Sequence, residues 1–310
     1  MTELLFTLVF PLVLLFFLIV IFLSSVFKEK PKREFMTCDE FIKDWLKDHG
    51  QANKVEQQFE KMSKDPAGKL YMPITYRGAK LFIKLGISPN MASYINLIAS
   101  FFIFWGVIMA STGHTLDLIT QQPFYGSWFF LLAVLVLATG IGDGIDGAIA
   151  RLLDIKSKTG AWLDNILDRI SDILMLVCFV PTSLLVFPSF GLDFTWMVWT
   201  NIFLIFIYEY MRARHEGLGL LETKPYIGER ITRVIVSATF FVMYGVSSFT
   251  VYLTYLVNPS ATIWNSSHAW TITWSMFIYQ ASLLVIMVLS IILFANYIWK
   301  NLRKLEKAET

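Results

Sequence analysis

Four aspartates concentrate the chemistry available to this chain. Asp143 and Asp146 stand three apart, and Asp164 and Asp168 stand four apart, so on helices each pair shares one face. A run of 16 residues without a charge, Ser127 to Gly142, precedes the first pair. At the helical rise it covers about 24 Å of a hydrocarbon layer about 30 Å thick, which places Asp143 just inside one edge of a bilayer. The second pair mirrors the first, because Ile173 to Phe187 is again charge-free. A carboxylate at membrane depth costs about 2.5 to 3.5 kcal/mol on insertion scales, and four together repel one another. Arg151, two turns beyond Asp143, offers a single positive charge against them. A purely structural cluster, paired with Arg151 and Arg169, is the alternative; four acids on two helices beside glycines favour a bound cation. Oxygen ligands without His or Cys suit a hard divalent ion, Mg²⁺ before Mn²⁺. Gly144 and Gly147 remove side chains beside the acids and leave room for a flat or bulky group.

The elements that hold these residues are membrane helices. Of 310 residues, 55% are hydrophobic and 16% charged, and the mean hydropathy is +0.57, which excludes a disordered chain and argues against a soluble globule. Seven spans are expected, near Leu4 to Phe27, Met91 to Ala110, Ser127 to Leu153, Ala161 to Phe187, Phe194 to Arg214, Val234 to Val257 and Thr271 to Trp299. Threaded alternately, they put all 26 Lys and Arg on one face, in segments 28–87, 151–169, 212–233 and 300–310. The positive-inside bias makes that face cytoplasmic, and the acid cluster with it. The fold class is therefore an all-α polytopic membrane protein. Its expected parts are an N-terminal anchor helix over 1–27, cytoplasmic-face amphipathic helices over 28–87, a six-span domain over 88–300 and a tail over 301–310. The first span lacks a basic lead and a short apolar core, so it reads as a retained anchor and not a cleaved signal. In 28–87, Phe41, Ile42, Trp45 and Leu46 and then Val55, Phe59 and Met62 recur at helical spacing, with Gly50 a break between two short helices and Tyr76 to Leu85 an interfacial helix. A net charge of +2 gives no nucleic-acid footprint, and Cys38 and Cys178 make neither a disulfide framework nor a zinc pattern.

A second charged group lies at the same depth. Fifteen charge-free residues, Phe194 to Tyr208, lead to Glu209, Arg212 and Arg214, and Glu229, Arg230 and Arg233 follow across the next cytoplasmic loop. Guanidinium forks suit a phosphate, so Arg212, Arg214, Arg230 and Arg233 are the candidate binders of an anionic substrate. A cation transporter would place its acids near the midplane on broken or repeated helices; these lie at the membrane edge and are not repeated.

Asp143, Asp146, Gly147, Ala150, Arg151, Gly160, Asp164 and Asp168 spell DxxDGxxAR and then GxxxDxxxD, which resembles the signature of the CDP-alcohol phosphotransferases at every fixed position. The resemblance implies a six-helix core, with residues 1–70 an addition to it. It implies a phospholipid synthase, in which an alcohol attacks the β-phosphorus of a CDP-linked lipid and CMP leaves. Asp143, Asp146, Asp164 and Asp168 would hold two metal ions, with Asp168 also the base. Gly147, Ala150, Arg151 and Gly160 would form the CDP-lipid side. The run at 210–219 with Glu229, Arg230 and Arg233 is similar to the prokaryotic phosphatidylinositol-phosphate and archaetidylinositol-phosphate synthase branch, although Arg212 replaces a lysine and Glu209 a small hydroxyl residue. That similarity implies inositol 1-phosphate as acceptor and a homodimer. A phosphatidylglycerophosphate synthase, or a member using an unphosphorylated alcohol, is the alternative within the family.

Overall fold

In a computed structural model, residues 4–28, 34–48, 54–112, 122–187, 191–220, 227–258 and 267–309 are described. A π-helical turn at Leu5–Val9 leads into α1, Phe10–Val26. Only Leu14 and Ser25 of α1 are buried, as suits a helix that is apolar all round and turned to lipid. Its two ends are pinned. Trp105 Nε1 donates to the Phe6 carbonyl at 3.0 Å. Gly86 takes φ +81° where a Cβ would lie 2.3 Å from the Ser25 carbonyl, a place only glycine fits.

The charged segment folds as α2 (Cys38–Leu46), α3 (Val55–Lys64) and α4 (Pro66–Lys84). Thr37 and Glu40 cap α2 reciprocally, the Thr37 amide donating to Glu40 Oε2 at 2.7 Å and the Glu40 amide to Thr37 Oγ1 at 3.3 Å. The break expected at Gly50 lies outside the described residues. The expected interfacial helix from Tyr76 is the second half of α4. These helices bury their apolar faces on protein: Phe41, Ile42, Leu46, Met72, Ala79 and Ile83 share a core with Ile145, Ala148, Ile149 and Leu152.

Those last four belong to α6 (Gln122–Leu153), the helix that carries the first acid pair. The bundle is completed by α5 (Pro89–Thr112), α7 (Lys158–Val177), α8 (Trp196–Gly217), α9 (Arg230–Val257) and α10 (Ser267–Glu309), of which α5 and α9 pack directly on α6. The core of this bundle centres on Phe129, Phe179, Phe241, Tyr279 and Phe294. Gly245 of α9 allows a close approach to α6, since a Cβ there would meet the Phe130 backbone at 2.4 Å. Among the described residues, five helices are long and apolar enough to cross a membrane: Leu5–Val26, Pro89–Ser111, Gly126–Leu153, Arg230–Val257 and Trp270–Lys307. The remaining two expected spans are α7 and α8, which carry Asp164, Asp168, Asp172, Glu209 and Arg212 along their length.

The helix expected to run from Ala161 to Phe187 stops at Val177. Pro181 has no amide to donate and disfavours helical geometry at Val180. The chain tightens instead into i→i+3 turns, with Phe179 bonded to Leu176, Val180 to Val177 and Thr182 to Phe179. It then forms β1 (Val186–Phe187), antiparallel to β2 (Leu192–Asp193), with Val186 opposite Asp193. At the other end of the chain the last helix continues through residue 309 without a break at 300.

Candidate active site

α6 packs chiefly on α9, α5 and α4, and α7 on α5 and then α8. The two acidic helices thus meet through side chains and not through close-packed backbones. Asp146 faces Asp164 within hydrogen-bonding reach, and Asp143 faces Asp168 in the same way. Ser157 caps α7 by accepting from the Gly160 amide at 3.0 Å, which fixes the start of the helix that presents Asp164. The Ser93 hydroxyl of α5 donates to Asp146, whose other oxygen accepts from the Gly147 amide at 2.5 Å. Arg230, at the start of α9, donates to both Asp143 and Asp168 and lies 3.6 Å from Asp172.

The two glycines beside the acids differ. A Cβ on Gly144 would meet the Tyr71 hydroxyl at 2.5 Å, so the room expected there is filled by a tyrosine of α4. Burial, followed by the charge of Asp143, pushes that hydroxyl above its ordinary range and keeps it protonated. On Gly147 a Cβ would meet only Arg151 Nη1, at 3.0 Å, and the space over it is open. Arg151 does not reach the acid cluster. Its Nε and Nη2 lie 3.2 and 3.1 Å from Asp48 Oδ2, at the C-terminal end of α2. Lys156 joins Asp44 and Asp48 at 2.9 Å each. Burial raises the Asp48 carboxyl, but the Lys156 hydrogen bond and the Arg151 charge more than offset it, and the group stays below its usual range and ionised at neutral pH.

Beyond Asp168 lies an ion network that spacing alone did not reveal. Arg169 contacts Asp172 at 2.9 Å and Glu209 at 3.1 Å, while Arg233 contacts Asp172 at 2.8 Å, Glu209 at 3.2 Å and the Gly228 carbonyl at 2.9 Å. Asp172, Glu209 and Arg233 are all buried. The position of Asp172, one turn after Asp168, was the available signal; its partners were not readable. Arg212 pairs with Glu229, which also accepts from Tyr208 at 3.0 Å. Arg214 is exposed at the end of α8, and His215 is buried against the rings of Phe294 and Tyr297. A narrow cleft, with room for about 20 Å³, is lined by Asp172, Arg230, Arg233, Ser237 and Tyr279.

The donors fit a hard divalent cation in kind: four carboxylates, no sulfur and no imidazole. Among the described residues, no Lys or Arg pairs with buried Asp146 or half-buried Asp164, so that facing pair lacks a counter-charge. No three metal-ligating side chains among the described residues converge on one point; the arrangement is two facing pairs, with the Arg230 guanidinium between Asp143 and Asp168.

The family model for CDP-alcohol phosphatidyltransferase matches residues 86–305. An uncharacterized protein of Aquifex aeolicus is 40% identical over 104 residues, covering 31% of this chain and 50% of its own length. The chain therefore spans about half the length of that relative. The archaetidylinositol phosphate synthase of Pyrococcus horikoshii is 29% identical over 175 residues, 54% of this chain and 76% of its own. Two crystal structures of a Mycobacterium tuberculosis phosphatidylinositol phosphate synthase align with a TM-score of 0.48. The one with CDP-DAG bound is 21% identical, covering 73% of this chain and 94% of that one. The one with manganese and citrate is 20% identical, covering 73% and 88%.

Proposed function

Because the chain belongs to the CDP-alcohol phosphatidyltransferase family, matched over residues 86–305, we propose that it moves a diacylglyceryl or archaetidyl phosphate from a CDP-linked lipid to inositol 1-phosphate, releasing CMP. The observation that carries this acceptor is the position of Arg230, which touches both Asp143 and Asp168 and meets Arg233 at Asp172, so that two arginines of α9 adjoin the acid cluster. The name of the Pyrococcus horikoshii relative supports the same reading.

Asp143, Asp146, Asp164 and Asp168 would hold Mg²⁺ or Mn²⁺, two ions, whose chemistry is to neutralise charge on the transferred phosphoryl group and on the departing CMP. Asp168 takes the proton of the acceptor hydroxyl as that oxygen bonds to the β-phosphorus. The bond from the β-phosphorus to the bridging oxygen breaks, and CMP leaves with its electron pair. The open space over Gly147, with Ala150 one turn on, receives the cytidine, and Arg151 Nη1 faces its phosphate. Gly160 belongs to this side through the α7 cap. Arg212, Arg214, Arg230 and Arg233 supply the cationic side for the acceptor phosphate. An acid cluster repels a second anion, so a phosphorylated acceptor needs such a group of its own. When that phosphate draws Arg230 away, Asp168 becomes free to act as base. The site faces the cytoplasm, where a water-soluble acceptor and a lipid-anchored nucleotide meet, and the protein works as a homodimer.

The test is CMP release by purified protein with Mg²⁺, CDP-diacylglycerol or CDP-archaeol, and a panel of inositol 1-phosphate, glycerol 3-phosphate, inositol, glycerol and serine. Fastest release with inositol 1-phosphate is expected. Faster reaction with the free alcohols defeats the acceptor assignment, and no release with any of them defeats the reading as a whole.

A further inference from the structure

The contact of Asp44 and Asp48, at the C-terminal end of α2, with Arg151 in the last turn of α6 and Lys156 in the loop after it is not used by the chemistry above. Asp48 lies in the segment before residue 86, outside the stretch that the family model matches, yet it reaches 103 positions along the chain to Arg151. The contact is directional. Asp48 Oδ2 takes the Nε and Nη2 edge of the guanidinium, at 3.2 and 3.1 Å. Nη1 is left on the other side, against Gly147, where a Cβ would lie 3.0 Å away and nothing else would intervene within 4 Å. A guanidinium is a planar fork, so gripping one edge fixes where the remaining N–H groups point. Arg151 is 13% exposed in its side chain and Asp48 36%, so water screens the pair only in part.

Two further contacts keep the grip in place. Lys156 donates to Asp48 and Asp44 at 2.9 Å each, which neutralises the carboxylates left over by a single arginine. Phe41, Ile42 and Leu46 sink the other face of α2 into the core shared with Ile149 and Leu152 of α6, so the helix that bears Asp44 is anchored by packing as well as by charge.

We propose that Asp48 is a positioning residue for the nucleotide side of the site: it orients Arg151 so that Nη1 faces the space over Gly147, with Lys156, which it shares with Asp44, holding Asp48 in turn. This rests on the reading of Arg151 as a ligand of the CDP-lipid phosphate. The N-terminal helices then serve the reaction directly, by setting the aim of an arginine they do not themselves carry.

A double-mutant cycle tests this on the full-length protein, because residues that act through one another give non-additive effects. Michaelis constants for the CDP-lipid, kcat, and affinity for CMP by calorimetry are measured for wild type, Asp48→Ala, Arg151→Ala and the double variant. Asp48→Ala is expected to raise the CDP-lipid KM and weaken CMP binding about tenfold, as for impairment of one charge-assisted contact, with kcat within about twofold. In the Arg151→Ala background it is expected to change neither. Asp48→Asn, which keeps shape and one acceptor oxygen, serves if the alanine variant is poorly folded, and Asp48→Glu is expected to restore most of the loss. An equal effect in both backgrounds, a fall in kcat with KM unchanged, or a tighter KM in Asp48→Ala overturns the proposal. An unchanged KM in Arg151→Ala is a different failure: it removes Arg151 from the CDP-lipid site and with it that part of the proposed function.

Discussion

Arg230 of α9 donates to Asp143 of α6, 87 positions earlier in the chain. The same nitrogen reaches Asp168, so one guanidinium occupies the place between two carboxylates assigned to a divalent ion. Removing one partner of such a buried group costs about 3 to 5 kcal/mol. Arg230→Gln should therefore melt earlier without metal, and Mn²⁺ should raise its melting temperature by more than it raises that of wild type. Thermal melts in detergent, with and without Mn²⁺, read this out. A smaller metal response in the variant would show that Arg230 and the ion do not compete.

Asp168 faces Asp143 and takes Arg230. As a general base it would contribute about 10² to 10⁴ in rate. Asp168→Asn should lower kcat by that order while the KM for the CDP-lipid moves only a few fold, and exhaustive chelation should abolish turnover of the wild type. Wild-type kcat in the variant would remove the base assignment, and turnover in the chelated protein would remove the metal.

Arg233 and Arg214, both assigned to the acceptor phosphate, differ in what their loss costs the fold. Arg233 is 5% exposed and held by Asp172, Glu209 and the Gly228 carbonyl. Arg233→Ala should lower the melting temperature, since it takes from buried Asp172 and Glu209 one of the two guanidinium groups they share and leaves them Arg169, at a cost of about 1 to 3 kcal/mol. Exposed Arg214 can be removed without that penalty. Arg214→Ala should raise the KM for the acceptor phosphate about tenfold with an unchanged melt. Equal effects of Arg214→Ala on the KM values of both substrates would take it out of the acceptor group.

Gly144 and Gly147 should respond oppositely to a methyl group. Gly144→Ala sets a Cβ 2.5 Å from the Tyr71 hydroxyl, and overpacking of this kind costs about 1 to 3 kcal/mol. Tyr71→Phe removes that oxygen and should recover most of the loss. Gly147→Ala meets only a terminal side-chain nitrogen, Arg151 Nη1, at 3.0 Å and should fold normally while raising the KM for the CDP-lipid. Melting curves and steady-state kinetics of the four variants decide it. Failure of Tyr71→Phe to rescue Gly144→Ala would place the strain elsewhere.

The residues alone determined the acid pairs and their membrane depth, because helical spacing and the length of a charge-free run are local quantities. Asp143 with Asp146 and Asp164 with Asp168 could be read that way, as could the apolar spans, the amphipathic segment before residue 88 and the family resemblance. The partners of each charge could not be read. Asp48 with Arg151, Arg230 with Asp143, and Arg233 with Glu209 join residues 103, 87 and 24 positions apart, and no local period encodes which of several arginines meets which acid. The end of α7 at Val177 was masked in the same way, because a charge-free run has the same hydropathy whether it continues as helix or turns at Pro181. Gly144 and Gly147 look alike in sequence and differ only because α4 brings Tyr71 against one of them. Depth and face follow from the covalent order of residues along one helix; pairing follows from how helices distant in sequence pack, and only the tertiary structure decides that.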